Sequence, residues 1–90
     1  MDDEVILLNW IEDFLKQNTS ISIFVKYYRD IFDFLISEEE IEERRYYLYK
    51  ELHEYLECYD FISNTIDEYY YLDENDVRVK VSEMYSRILN

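Results

Sequence analysis

His53 and Glu57 stand one helical turn apart, a spacing at which an imidazole and a carboxylate can share a proton. Such pairs are more often surface hydrogen bonds than acid–base machinery, and His53 is the only histidine in the chain. Cys58 lies five residues beyond it and so points elsewhere on a helix, which spoils a His–Cys metal site. The run Asp73-Glu74-Asn75-Asp76 has the acids of a calcium loop but neither its glycine turn nor its twelve-residue ligand spacing. With no Gly-rich phosphate loop and no nucleophile motif, the chain is expected to hold no metal or cofactor and to have no catalytic residues.

A binding chemistry is better supported. Between Glu51 and Asp76 there are nine carboxylates and no Lys or Arg, interleaved with Tyr55, Tyr59, Tyr69, Tyr70 and Tyr71. Proteins that hold RNA or DNA grip its phosphates with Lys and Arg. A folded acidic surface studded with tyrosines can therefore occupy the same groove and block it. Acidic runs are usually solvated faces, but here the asymmetry is collective: residues 37–76 carry fourteen acids and three bases, so they supply -11 of the net -13. Glu51, Glu54 and Glu57, three apart, can line one side of a helix, with Asp60, Asp67 and Glu68 beyond it.

The tyrosines divide in the same way. A stripe at helical spacing is more often core than interface, and Tyr28, Tyr55 and Tyr85 are expected to be largely buried. Tyr69, Tyr70 and Tyr71 are adjacent and cannot all face inward, so at least one should stand exposed beside carboxylates. There it can anchor Arg or Lys through hydrogen bonding and cation–π contact. The candidate binding set is Glu54, Glu57, Asp60, Asp67, Glu68, Tyr69, Tyr70, Asp73 and Glu74.

Ninety residues make one small domain, near the lower limit at which a core offsets chain entropy without disulfides or metals. The apolar fraction of 49% is too high for a disordered acidic tail, so the chain should fold despite its charge. Self-repulsion costs stability while it keeps the protein soluble, and moderate salt should therefore stabilise it. A lone cysteine cannot form an internal disulfide and fits a reducing compartment, with the cytoplasm as the expectation. The acidic start, Met1-Asp2-Asp3-Glu4, is unlike a secretory signal, and no apolar run approaches the roughly 20 residues that span a bilayer.

The elements that must position these groups are helices. The chain has no glycine and no proline, so the common αL helix ends and primed hairpin turns are missing, which a helical bundle tolerates best. Asp2 to Lys16 reads as an amphipathic helix with Ile6, Trp10, Ile11, Phe14 and Leu15 at helical spacing. Asn18-Thr19-Ser20 is the break, with Asn18 suited to the left-handed conformation and Ser20 or Ser22 to capping. A second helix runs to about Leu35 on a face of Phe24, Tyr27, Tyr28, Ile31, Phe32 and Leu35, although Ile21 to Phe24 alternate like a strand.

Ser37-Glu38-Glu39-Glu40 has the pattern of a capping box and predicts the start of a third helix. That helix is expected to reach about Tyr59, with Ile41, Arg45, Leu48, Leu52, Tyr55 and Tyr59 along its seam and Arg45 at the seam's end or paired with an acid. Phe61 to Leu72 lacks periodicity and reads as a loop with at most one helical turn. Asp73 can cap a last helix whose buried face is Val77, Val81, Met84, Tyr85 and Ile88, while Val77, Val79 and Val81 also alternate as a strand would. The expected fold is all-α, a small antiparallel four-helix bundle.

Four stretches carry a likeness to a known family: Leu8-x-x-Ile11-x-x-Phe14-Leu15, Ile21-x-x-Phe24, the cap Ser37-Glu38-Glu39-Glu40, and Tyr70-x-Leu72-Asp73-Glu74-Asn75-Asp76-Val77-Arg78-x-x-Val81. In their order and spacing the chain resembles the colicin D-type immunity proteins, small intracellular helical bundles that neutralise a tRNA-cleaving ribonuclease toxin. The last stretch is the most specific, and the others are apolar positions and caps that many helical proteins share. Members of the family often carry a Pro-Asp segment before the last helix, where this chain has Tyr59 to Asn64, so the toxin-facing loop is expected to differ. The resemblance implies a dedicated basic nuclease toxin as partner, inhibition by protein–protein contact, and no catalysis.

The leading expectation is thus an antitoxin that covers a nuclease active site, without direct contact to nucleic acid or membrane, and with self-association through exposed tyrosines compatible with it. A phage-encoded acidic nucleic-acid mimic, blocking a host defence nuclease or DNA-binding protein, has the same composition. A helical adaptor whose acidic face serves solubility alone is the third reading.

Overall fold

Asp3 and Glu4 open the first helix with negative charge against its dipole, and the apolar residues that follow keep a helical period. The computed structural model describes residues 3–64 and 74–90. Within them lie helices α1 (Asp3–Leu15), α2 (Ile21–Leu35), α3 (Glu43–Asn64) and α4 (Glu74–Leu89), and no strand. The alternating stretches at Ile21 and at Val77 are helical, because Phe24, Val25 and Tyr28 in one, and Val77, Val81 and Met84 in the other, reach the core only at helical spacing.

α1 ends in a Schellman motif. The amide of Asn18 donates to the carbonyl of Asp13 and that of Gln17 to the carbonyl of Phe14, both at 2.9 Å. Gln17, with φ of 64°, takes the left-handed position. The residue suited to it by type, Asn18, stands one place later, because the six-to-one bond fixes which residue must turn. Ser20 then caps α2, its hydroxyl accepting from the Ile23 amide at 3.4 Å.

The capping-box sequence does not start α3, which corrects the expectation drawn from it. The Ser37 hydroxyl accepts from the Glu39 amide at 3.3 Å, and the Glu40 amide donates to the Ser37 carbonyl at 3.1 Å. Those bonds close an isolated turn that reverses the chain after α2, and it leaves Ile41 partly buried against the core. The helix begins where the Glu42 carbonyl accepts from the Tyr46 amide at 2.9 Å. At its other end α3 runs on through Asn64, so Phe61 to Asn64 are helix rather than loop. Extending an existing helix adds a hydrogen bond for each residue fixed, which outweighs the weak local preferences of Ser63 and Asn64. Asp73, assigned as the cap of α4, lies outside the described residues.

Each helix runs antiparallel to its neighbours in an up-down-up-down bundle: α1 packs on α2, α2 on α3, α3 on α4, and α4 closes against α1. The core takes Leu7, Ile11 and Phe14 from α1, Phe24, Val25, Tyr28 and Phe32 from α2, Leu48, Tyr49, Leu52 and Leu56 from α3, and Val77, Val81, Met84 and Ile88 from α4. Burying each large side chain contributes about 1.5–3 kcal/mol. Tyr28 is fully buried as expected, whereas Tyr55 and Tyr85 are only partly covered, and Tyr27 and Leu35 stay exposed. Two polar tips are satisfied across helices: the buried Tyr28 hydroxyl donates to the Tyr49 carbonyl at 2.8 Å and Nε1 of the partly buried Trp10 to the Phe24 carbonyl at 3.1 Å.

Candidate functional site

α3 turns Leu48, Tyr49, Leu52 and Leu56 into the core, and this fixes which side chains look outward. Its outer surface presents Glu43, Arg44, Tyr47, Lys50, Glu51, Glu54, Glu57 and Cys58. The bases are confined to its first half. Beyond Lys50 the described outer surface of α3 has carboxylates and no cation.

These carboxylates are not equivalent. Glu51 is tied to α4 by Arg87, 3.3 Å away, and the Arg44 guanidinium donates to the Arg87 carbonyl, so this end of the α3–α4 seam is internally neutralised. Further along, Lys80 Nζ lies 5.7 Å from the centre of the Tyr55 ring. Glu54 makes no ion pair among the described residues, and Glu57 has only the buried His53 beside it, at 3.6 Å. At the start of α4, Glu74 pairs with Arg78 at 3.1 Å while staying half exposed.

Of the nine residues that the sequence nominates, Glu54, Glu57 and Glu74 are placed on the surface, Glu57 on the side of α3 that faces α2 and Glu74 in the first turn of α4 beside Arg78, so the described residues do not bring the three together. Asp60 falls within α3, with its side chain outside the described residues. Asp67, Glu68, Tyr69, Tyr70 and Asp73 also lie outside them.

His53 departs from the surface hydrogen bond that its spacing to Glu57 suggests. It is buried, its ring 4.6 Å from that of Phe32. Nε2 stands 3.2 Å from Asp33 of α2 and 3.6 Å from Glu57, without hydrogen-bond geometry to either. The signal was available, because His53 follows Tyr49 by four and precedes Leu56 by three along the buried seam. Asp33 could not be found that way, since it comes from another helix.

A second polar cluster was also unannounced. Tyr47 on α3 donates to Glu38 in the preceding turn at 3.3 Å, and the nearby Glu38 charge raises its phenol above its usual range, the hydrogen bond adding to the effect. Lys50 lies 5.9 Å from the same ring. Among the described residues no cluster of three or more His, Cys, Asp or Glu is arranged to hold a metal ion, and no helix is long and apolar enough to cross a membrane.

Fold and surface together define a small four-helix protein with an acidic outer strip on its third helix. No protein-family model, curated protein or solved structure matches the chain. The likeness to colicin D-type immunity proteins rests on the sequence stretches named above.

Proposed function

We propose that this protein is an immunity protein, an antitoxin that binds a basic, tRNA-cleaving bacterial ribonuclease domain and covers its substrate-binding surface. The observation that carries the reading is the stretch of α3 after Lys50, where Glu54 and Glu57 face outward, no further base follows on the described exposed surface of the helix, and Glu54 makes no ion pair among the described residues. A nuclease groove lined with Lys and Arg for RNA phosphates fits such carboxylates, and the family resemblance names the kind of toxin. The acidic field speeds encounter, and desolvated Glu and Tyr contacts to Arg and Lys slow release. The role proposed is binding, carried out in the cytoplasm where the toxin would act.

The test is a titration of this protein into a tRNA-cleavage assay run with a purified colicin D-like nuclease domain. Stoichiometric inhibition is expected, weakening with salt. Glu54→Lys should lose affinity by at least tenfold, about 1.4 kcal/mol, while Glu39→Lys, a control on the turn before α3, should change it little. Absence of both inhibition and a complex on a sizing column would overturn the proposal.

A further inference from the structure

The outward surface of α2 is of another kind. Ile23, Tyr27 and Phe34 are 47%, 46% and 82% exposed. At 100° per residue they lie within about 40° of one another on the helix. Ile31 continues the strip toward the core, and Trp10 of α1 extends it sideways, packed edge-on against Tyr27 at 5.8 Å. Leu35, 40% exposed, follows Phe34 at the end of α2, whereas Val5, Val79 and Leu89 are scattered singly, as on any protein surface.

The charges beside this strip are balanced and ordered. Lys26 stands in the N-terminal half of α2 with its Nζ 5.5 Å from the Tyr27 ring, and Asp30 and Asp33 stand in the C-terminal half. Together with Arg29 they leave α2 without net charge in a chain of net charge -13. A basic partner would gain nothing electrostatic here. A second α2 laid antiparallel would set Ile23 against Phe34 of the other copy, and Lys26 beside the other copy's Asp30. Both matches recur by symmetry, as a two-fold contact requires.

We propose that this face of α2 is a homodimer interface, with the two-fold axis passing beside residues 28 and 29. It is separate from the acidic strip of α3 and does not depend on the function proposed for that strip. One face of a 15-residue helix is a small interface, so dissociation is expected at roughly 10–100 μM. Two chains of net charge -13 repel each other across the rest of their surfaces, so salt should strengthen the dimer. A charge-led complex with a basic protein should weaken under the same change, and the two surfaces are distinguishable by that sign.

Sedimentation velocity on the full chain tests this, from about 5 to 300 μM at low and moderate salt. A monomer–dimer shift that grows with salt is expected. Phe34→Ser should weaken it at least tenfold without lowering the melting temperature, because the ring is almost wholly in solvent. Lys26→Asp should also weaken it, and adding Asp30→Lys should restore it by re-forming the pair in the opposite sense. A monomer at every concentration, a dimer indifferent to Phe34→Ser, or a double variant no better than Lys26→Asp would each overturn the proposal.

Discussion

Glu4 on α1 and Arg45 on α3 form a two-point ion pair, with Nε to Oε2 at 2.8 Å and Nη2 to Oε1 at 3.2 Å. The Tyr49 hydroxyl donates to the same carboxylate at 2.8 Å, so one acid near the start of the chain is held by two residues of α3. The hydrogen bond to Glu4 is the main cause that raises the already high Arg45 pKa, and the guanidinium stays charged at every accessible pH.

Glu4→Gln removes the charge and keeps the shape. Hydrogen bonds to charged groups contribute about 1.5–3 kcal/mol, and a loss of that order is expected in urea unfolding. Arg45→Met should cost less than Glu4→Gln, since it keeps the Tyr49 hydrogen bond to Glu4, whereas Glu4→Gln weakens the contacts to both Arg45 and Tyr49. Unfolding midpoints for the two variants decide the order.

Gln17 holds a left-handed conformation that favours glycine, in a chain that has none. Gln17→Gly should stabilise the protein by about 0.5–1 kcal/mol, the relief of the Cβ contact being partly offset by a freer unfolded chain. Gln17→Val should destabilise it. Thermal melts of both variants give the sign directly.

Arg78 reaches from α4 to the end of α1, donating to the Phe14 carbonyl at 2.6 Å with its guanidinium carbon 4.2 Å from the centre of the Phe14 ring. A cation on the last carbonyls of a helix is favourable, and the planar group stacks as well as donates. Arg78→Lys keeps the charge but loses the fork and the stack, and is expected to cost about 1 kcal/mol. Faster amide exchange at Gln17 and Asn18 would place the loss at the α1 terminus.

Burial pushes the Tyr28 phenol well above its usual range, with Tyr49 nearby adding to it. Below about pH 10 the residue is neutral in both folded and unfolded chains and its contribution is intact. Above that pH the unfolded chain releases the proton and the folded one keeps it, so stability falls as pH rises, by about 1.4 kcal/mol per pH unit for one such group. Tyr28→Phe should lower stability at pH 7 by about 1 kcal/mol and flatten the alkaline fall between about pH 10 and 11.5. Tyr85, raised chiefly by its hydrogen bond to Glu12, should leave a residual slope.

The four helices and the outward direction of Glu54 and Glu57 were legible in the sequence because they follow from spacing within one segment, whereas both ends of α3 were not. A serine cap at Ser20 or Ser22, and Arg45 either at the seam's end or paired with an acid, were legible for the same reason, and the structure chose Ser20 and the acid. The Ser37–Glu40 motif misled because its hydrogen bonds serve a turn as well as a helix start, and the need to reverse the chain and place Ile41 on the core chose the turn.

Tertiary structure alone decided which acid meets Arg45, which carbonyl receives Arg78, and that Phe32 and Asp33 are the residues of α2 beside the buried His53. Each of these joins residues from different helices, whose relative rotation no single period records. The sequence determined a charged, glycine-free chain whose segments could bury their apolar faces only as helices. The packing of those helices determined which carboxylates are used between helices, as Glu4 and Glu51 are, and left Glu54 facing solvent without an ion pair among the described residues. A carboxylate within reach of a neighbouring helix's Arg can form a charge-assisted hydrogen bond, and one beyond such reach stays with water.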